Sequence, residues 1–357
     1  MSYIDSRLKV FRHMDRMTAW KRGEKPAPVT VEWDLSNRCA LGCMDCHFAH
    51  THTRGPWVSK KRALPTAYDS GGDLADPQLV HRGLTEMAQA GVKGIVWSGG
   101  GEPTTHPQLF SIIEHASSLG LQQGMYTFGG LLTGESAKTL ASRLTWAVVS
   151  LDTVDAQTYS REKGVSPSRF VAACDGVRSM SAGGRTVIGV SFLLHAGNWR
   201  LVFDMLSLAR GLGASYATFR PAIRTSPADP ATCVDDRSWI TAAMPTLELL
   251  AKDLHVEIDL GRFKQYRDWT GRSYHTCYGI RFTATVTPDG RVWVCPQRRG
   301  LSESCVGDLR IESFKELWAR HVGQWTDFSG CRVMCRLHLM NETLAQVFDE
   351  QQHEAFL

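Results

Sequence analysis

Three cysteines lie within eight residues near the start of the chain, in the run Cys-Ala-Leu-Gly-Cys-Met-Asp-Cys that contains Cys39, Cys43 and Cys46. The spacing C-x3-C-x2-C places three thiolates on one short loop after the strand-like run 29–35. Such thiolates are typical iron–sulfur ligands, and three of them leave one iron of a four-iron cluster open to a small chelating molecule. The alternative is a structural zinc ion, which needs a fourth ligand. Candidates for that ligand are His47, His50 and His52.

A second cysteine group lies near the C-terminus. Cys277 and Cys295 flank a hairpin with Pro288-Asp289-Gly290 at its turn, and Cys331 and Cys335 follow in Cys-Arg-Val-Met-Cys. Four such thiolates bind either one zinc ion or one four-iron cluster, and spacing alone favours zinc. Of the remaining cysteines, Cys174 is expected as a buried helix residue and Cys233 lies in a loop-like segment. Cys305 lies between the two pairs and is either a spare or a replacement for one of the four ligands.

A glycine-rich segment, Ser98-Gly99-Gly100-Gly101-Glu102-Pro103, follows a second strand-like run. Glycine lets the backbone approach a ligand closely, and Glu102 adds a carboxylate acceptor. An ordinary turn between a strand and a helix has a similar composition, so this segment alone does not decide its role.

Composition excludes several classes of protein. The 357 residues are 43% hydrophobic and carry a net charge of +4, which is enough to bury a sizeable core but gives no broad basic surface for nucleic acid. We find no apolar run of membrane-spanning length and no N-terminal signal-like region. Ten cysteines in such a chain indicate metal or catalytic thiols in a reducing compartment, so a cytoplasmic location is expected.

Strand-like and helix-like segments alternate between residues 29 and 221, which predicts right-handed βαβ units around parallel strands. The predicted strands are Val29–Asp34, Val92–Ser98, Gly124–Phe128, Trp146–Asp152, Thr186–Leu194 and Ser215–Arg220. The predicted helices are Pro77–Ala90, His106–Leu119, Glu135–Leu144, Pro167–Ser181 and Asn198–Leu212, with a further helix at Arg237–Leu254. Six units are two short of a closed eight-fold barrel, and chemistry in such barrels lies at the C-terminal ends of the strands.

Together, the cysteine triplet and Gly-Gly-Glu-Pro at the next strand end resemble the radical S-adenosylmethionine (SAM) superfamily. The resemblance implies an α/β fold with a partial (β/α)6 TIM-like barrel, and a [4Fe–4S] cluster whose open iron is chelated by SAM. It assigns Gly100, Gly101 and Glu102 to the SAM amino group. Further SAM contacts expected from it are Thr127, Ser150 and Asp152, with Arg161 or Lys163 as partners of the SAM carboxylate. Two positions depart from the family pattern, namely Phe128 after Thr127 and Asp45 before the third cysteine.

Joined to such a core, the C-terminal cysteines resemble the twitch domain, the short relative of the SPASM domain, which implies an auxiliary [4Fe–4S] cluster on Cys277, Cys295, Cys331 and Cys335. The predicted organisation is an N-terminal extension (1–28), the core barrel (29–221), a linker with a helix (222–270) and a small hairpin and helix domain (271–357).

The predicted function is reductive cleavage of SAM to a 5′-deoxyadenosyl radical, which abstracts a hydrogen atom from a substrate. The chain has 38 residues before Cys39, too few for a fused peptide-recognition domain, so we expect a sugar, cyclitol or nucleoside-like substrate. The auxiliary cluster indicates a net oxidation, or a rearrangement, of that substrate. The alternative is cross-linking or epimerisation of a ribosomally made peptide. An electron donor such as flavodoxin or ferredoxin is expected, with neither nucleic acid nor membrane as partner. The rival from another class is a non-catalytic zinc or iron–sulfur protein.

Overall fold

The computed structural model describes residues 9–43, 46, 53–54, 73–132, 134–223, 235–320, 323, 325–328, 331 and 333–349. The strands within these residues are β1 Thr30–Asp34, β2 Arg38–Cys39, β3 Thr53–Arg54, β4 Gly94–Ser98, β5 Gln122–Thr127, β6 Trp146–Ser150, β7 Val187–Leu194, β8 Tyr216–Pro221, β9 Val256–Ile258, β10 Thr283–Val286, β11 Arg291–Trp293 and β12 Cys305–Asp308. Ten of them form one sheet, in the order β12-β11-β10-β1-β4-β5-β6-β7-β8-β9, and β2 and β3 form a separate pair.

The six predicted barrel strands are confirmed as β1 and β4 to β8, and each is parallel to its neighbour. The sheet has two free edges, β9 and β12, in the described part of the chain. A partial barrel is therefore the architecture, as predicted. The helices are Met14–Lys21, Pro77–Ala90, Leu109–Ser118, Gly134–Arg143, Ala156–Lys163, Ser168–Ser181, Val202–Gly211, Trp239–Leu250, Leu260–Arg267, Phe314–Arg320 and His338–Phe348.

The two faces of the sheet differ in chemistry. On β1, Val31 and Trp33 belong to the main apolar core between the sheet and its helices. The helix Pro77–Ala90 lies so close that a Cβ on Gly83 would come within 2.6 Å of the Trp33 ring. Because side chains alternate along a strand, Glu32 and Asp34 face the opposite, inner side.

Several elements differ from the sequence prediction. The predicted helix His106–Leu119 begins only at Leu109, because a 3-10 turn, Pro103–Thr105, precedes it. The predicted helix Asn198–Leu212 likewise opens with a 3-10 turn at Trp199–Leu201. The sequence prediction missed the helix Ala156–Lys163, which is mostly polar and begins at the capping side chain of Asp155.

The predicted C-terminal hairpin is confirmed, with Gly290 at φ +85° in its turn. Its first strand, β10, pairs in parallel with β1. The hairpin therefore extends the barrel sheet instead of forming a sheet of its own. The N-terminal helix packs on the same C-terminal region, through Met17 and Trp20 against Phe282 and Leu344. The four-part division of the chain stays a prediction.

Candidate functional site

The cysteine loop is joined to the glycine-rich segment through backbone hydrogen bonds. Gly101 N donates to Ser36 O at 2.9 Å, and Glu102 N donates to Arg38 O at 2.8 Å. A Cβ on Gly101 would lie 2.3 Å from Arg38 O, so only glycine permits this approach. The segment predicted to bind SAM thus lies directly against the chain that leads into Cys39.

On its other side, the same loop contacts the end of the helix Ala156–Lys163. Gly42 N donates to Lys163 O at 2.7 Å, and Gly164 ends the helix in the left-handed conformation against Gly42. The Lys163 ammonium is buried and lies 2.5 Å from a carboxylate oxygen of Asp152. Burial alone would lower the pKa of Lys163, but Asp152 and the nearby Cys43 outweigh burial and raise it. Lys163 is therefore protonated and ion-paired with Asp152 beside the cysteine loop.

The three predicted cluster ligands lie close enough to influence one another. Burial raises the pKa of the Cys39 thiol most, and Glu102, Cys43 and Cys46 raise it further. Coordination to iron would remove these protons, as metals deprotonate the thiols that bind them. The grouping of three thiols on one loop fits a cluster with one open iron. Asp45 and the three histidines after the triplet lie outside the described residues.

Glu102 connects the ends of two neighbouring strands. Its carboxylate accepts hydrogen bonds from the hydroxyls of Thr104 and Thr127, each at 2.6 Å, and from Phe128 N at 2.9 Å. Burial raises the pKa of Glu102, while these donors lower it. The structure therefore brings Glu102 and Thr127 together, next to Gly100 and Gly101, at the C-terminal edge of the sheet.

The remaining predicted SAM contacts lie on the following strands. Ser150 ends β6 and is half-buried beside Ser191 of β7. Asp152 has a φ of +64° and accepts from Leu193 N at 2.9 Å as well as from Lys163. Both of its carboxylate oxygens thus have protein partners. Arg161, by contrast, is exposed and donates to Thr158 at 3.3 Å. The SAM contacts stay predictions.

The four predicted auxiliary ligands, Cys277, Cys295, Cys331 and Cys335, line one pocket, which we call the auxiliary pocket. Burial raises the pKa of Cys277, and raises that of Cys295 to about 12. Within the described residues no three cysteine, histidine or acidic side chains meet as ligands of a single ion would. Four thiolates are also the ligand set of one four-iron cluster, in which each iron takes one thiolate. Three arginines also line this pocket: Arg272, Arg298 and Arg336.

Cysteines outside the two groups lie elsewhere. Cys305 is on β12, opposite Trp293, and is not part of the pocket lining. Cys174 is buried in the helix Ser168–Ser181. Cys233 falls outside the described residues.

Sequence reasoning missed a buried ionic network between the two cysteine groups. Arg299 and Arg336, which follow Cys295 and Cys335 closely in sequence, both pair with Glu32 on β1, and Arg299 also pairs with Asp34. Burial raises the pKa of Asp34 to about 7, against the lowering effect of Arg299. The available signal was a pair of acidic residues at alternate positions of a strand expected to be buried.

A further inner-face carboxylate was also missed. Glu257 on β9 lies beside Thr218 of β8, while its neighbours Val256 and Ile258 pack against the main core. Both carboxylate oxygens of Glu257 are buried and accept no hydrogen bond from the described residues. Burial raises its pKa to about 7, although Arg220 lowers it.

Comparison with protein families gives the same two regions. Residues 33–198 match the profile of the radical SAM superfamily, and residues 277–344 match an iron–sulfur cluster-binding domain of the SPASM type. The chain belongs to the radical SAM superfamily and carries a SPASM domain. It is therefore an enzyme, and its cofactors are SAM, a SAM-binding [4Fe–4S] cluster and an auxiliary iron–sulfur cluster. The cysteine triplet, the Glu102 segment and the four-cysteine pocket fit these groups.

Two curated relatives show how far the similarity extends. The AdoMet-dependent heme synthase of Methanosarcina barkeri is 30% identical over 152 residues, which are 42% of this chain and 38% of that protein. The PqqA peptide cyclase of Methylocella silvestris is 24% identical over 295 residues, 82% of this chain and 74% of that protein. The second similarity is longer than the radical SAM region alone, which spans residues 33–198.

Solved structures confirm the fold. SuiB from Streptococcus suis, bound to S-adenosylmethionine, has a TM-score of 0.61 at 13% identity over 90% of this chain and 72% of that one. The structure of anSMEcpe with bound AdoMet has a TM-score of 0.58 at 14% identity over 83% of this chain and 82% of that one. Within the described residues, no helix combines the length and apolar character needed to cross a bilayer.

Proposed function

We propose that this radical SAM enzyme modifies a ribosomally made peptide, forming a cross-link by oxidation. The observation that carries the proposal is the similarity to PqqA peptide cyclases, which extends over 295 residues, 82% of this chain, and so beyond the radical SAM region 33–198. This similarity supports the peptide alternative better than the sugar, cyclitol or nucleoside substrate that the sequence analysis favoured. When bound, SAM and its cluster supply the radical that removes a hydrogen atom from the substrate.

The charges on the inner face support a polar substrate. Glu32, Asp34 and Glu257 face the same side of the sheet as Arg220, and Arg299 extends into it from the C-terminal region. A peptide offers amide donors and acceptors to such a surface, and each needs a partner once water is excluded. We place the substrate on this face, between the SAM site at the strand ends and the auxiliary pocket.

Two groups of residues would have different roles in this reaction. Gly100, Gly101 and Glu102, with Thr127, Ser150 and Asp152, would hold SAM at the sheet edge. Forming a cross-link removes two hydrogens from the peptide. One would leave as a hydrogen atom, and the other would leave as a proton and an electron. The four C-terminal cysteines would hold the auxiliary cluster, which would supply an acceptor for that electron.

The test uses short peptides encoded beside the gene. The anaerobically reconstituted enzyme is incubated with SAM, dithionite and each peptide, and with an aminocyclitol for comparison. We expect one peptide to lose two hydrogen atoms by mass, and deuterium placed on its side chain to appear in 5′-deoxyadenosine. Oxidation of the aminocyclitol with no change in any peptide would overturn the proposal.

Two parts of this proposal concern the surroundings of the enzyme. A flavodoxin or ferredoxin would supply the first electron, and a cytoplasmic location would keep the thiols reduced. Replacing dithionite by reduced flavodoxin tests the first part, with formation of 5′-deoxyadenosine as the readout.

A further inference from the structure

Asn341 holds a side-chain amide against a cysteine of the auxiliary pocket. The residue is completely buried in the helix His338–Phe348. Its Nδ2 atom donates to Cys277 Sγ at 3.1 Å, and its Oδ1 atom accepts from Gly279 N at 2.7 Å. The second bond fixes the orientation of the amide, because a backbone N–H requires the oxygen and not the nitrogen. The NH2 group therefore has to face the sulfur.

Arg298 approaches another cysteine of the same pocket. Its guanidinium is almost fully buried and lies 3.5 Å from Cys331 Sγ through Nη1. Hydrogen bonds to Ser304 and Glu303, each of 2.8 Å, hold the group in place. The guanidinium also lies over the Trp325 ring, 4.5 Å from its centroid. A fixed cation and a fixed N–H donor thus both face the thiolates.

Such groups favour the reduced form of an iron–sulfur cluster. Reduction adds negative charge to the iron and to its sulfur ligands, and hydrogen bonds and nearby positive charges stabilise that charge. We propose that Asn341 and Arg298 raise the reduction potential of the auxiliary cluster, so that it accepts the electron left on the substrate after hydrogen-atom abstraction. The substrate then loses a proton, and the cluster returns its extra electron to a flavodoxin-type or ferredoxin-type carrier.

The inference rests on the assignment of the four C-terminal cysteines to the cluster, but not on which substrate is used. The test variant is Asn341→Asp, which keeps the acceptor for Gly279 N and removes the donor to Cys277. The reduction potential of the holoenzyme is measured by anaerobic titration with electron paramagnetic resonance. SAM binds only the open-iron cluster, so the signal that SAM leaves unchanged belongs to the auxiliary cluster.

We expect Asn341→Asp to retain its iron and to shift the auxiliary signal to a more negative potential, with about a tenfold lower reduced-to-oxidised ratio at a fixed poise. The matched control is Asn198→Asp. Asn198 makes the same kind of bonds, accepting from His195 N and donating to Leu193 O, but lies on the β7 side of the barrel. The Asn198→Asp variant should leave the reduction potential of the auxiliary cluster unchanged.

If Asn341→Asp fails to retain the auxiliary cluster, a second variant tests the same inference. Arg298→Met removes the cation beside Cys331 and should shift the potential in the same direction. In addition, the Fe–S stretching bands of the wild type should shift in D2O, because an exchangeable proton faces the sulfur. An unchanged auxiliary potential in an iron-replete variant would overturn the inference, as would absence of the D2O shift. Neither measurement requires turnover of a peptide. A failure of this inference would therefore leave the proposed peptide-modifying function untouched.

Discussion

The Nη2 atom of Arg299 lies 2.6 Å from Oε1 of Glu32, and both side chains are buried. Glu32 is on β1, the strand that leads to Cys39. Arg299 lies four residues after Cys295, one of the cysteines that line the auxiliary pocket. The two cysteine groups are therefore joined by a buried ion pair as well as by the β1–β10 pairing. Removing one member of such a pair leaves the other charge buried without a partner, which is costly.

We expect Arg299→Met to lower the free energy of unfolding by about 3–5 kcal/mol, because Glu32 and Asp34 lose a shared partner. Urea unfolding of the anaerobically reconstituted protein, followed by tryptophan fluorescence, measures this loss. Adding Asp34→Asn to the variant should recover part of it. The control is Arg310→Met, since Arg310 is largely exposed and pairs with Asp308 at the surface. That variant should change stability by less than about 1 kcal/mol. Equal effects of the two arginine variants would contradict the prediction.

Replacement of Cys39, Cys43 and Cys46 by alanine should abolish reductive SAM cleavage. Three thiolates hold the cluster that binds SAM, and the four-cysteine pocket lies elsewhere, so about four irons should remain at the auxiliary site. Iron and sulfide counting, together with an assay for 5′-deoxyadenosine under dithionite, tests both halves. Continued formation of 5′-deoxyadenosine would refute the assignment of the triplet.

Glu102→Gln should weaken SAM binding by about tenfold or more, because a charge-assisted contact to the SAM amino group contributes roughly 1.5–3 kcal/mol. Glutamine is chosen because alanine would leave Thr104, Thr127 and Phe128 without their acceptor. Equilibrium binding of SAM to the reconstituted protein gives the affinity. The iron content and thermal unfolding of the same samples show that the cluster and fold are intact. Unchanged affinity would exclude Glu102 as a SAM ligand.

The sequence predicted the barrel strands well because they are apolar runs, and it predicted the cysteine groups because metal ligands are identified by residue type and spacing. It missed the helix Ala156–Lys163, in which only Tyr159 and Lys163 are buried. It also missed the pairing of Glu32 with Arg299, which are 267 residues apart. Local pattern cannot show which distant charge faces a buried carboxylate, since the parallel pairing of β10 with β1 creates that contact.

Cys335→Ala separates electron transfer from simple bracing of the fold. If the auxiliary cluster accepts the substrate's electron, the variant should still form 5′-deoxyadenosine but no oxidised product. If the cluster only braces the chain, loss of metal-binding energy should instead unfold the C-terminal region. Circular dichroism and iron content distinguish these results. Normal product yield without the second cluster would exclude the electron-transfer role, and zinc in anaerobically purified protein would exclude the cluster.

Glu257→Gln should stabilise the protein, and the gain should increase with pH. Burial raises the pKa of the Glu257 carboxylate from its ordinary value of 4.5 to about 7. An acid whose pKa is raised by folding costs nothing when both states are protonated, below about pH 4.5, and costs most above about pH 7. Removing the charge should therefore raise the free energy of unfolding by about 1–3 kcal/mol at about pH 8 and by less at about pH 5.5.

The control is Glu248→Gln, at a surface position facing Lys264, where a change within about 0.5 kcal/mol is expected. Urea unfolding at the two pH values measures both variants, and a loss of stability in Glu257→Gln at the higher pH would mean that Arg220 pairs with this carboxylate and stabilises its charge.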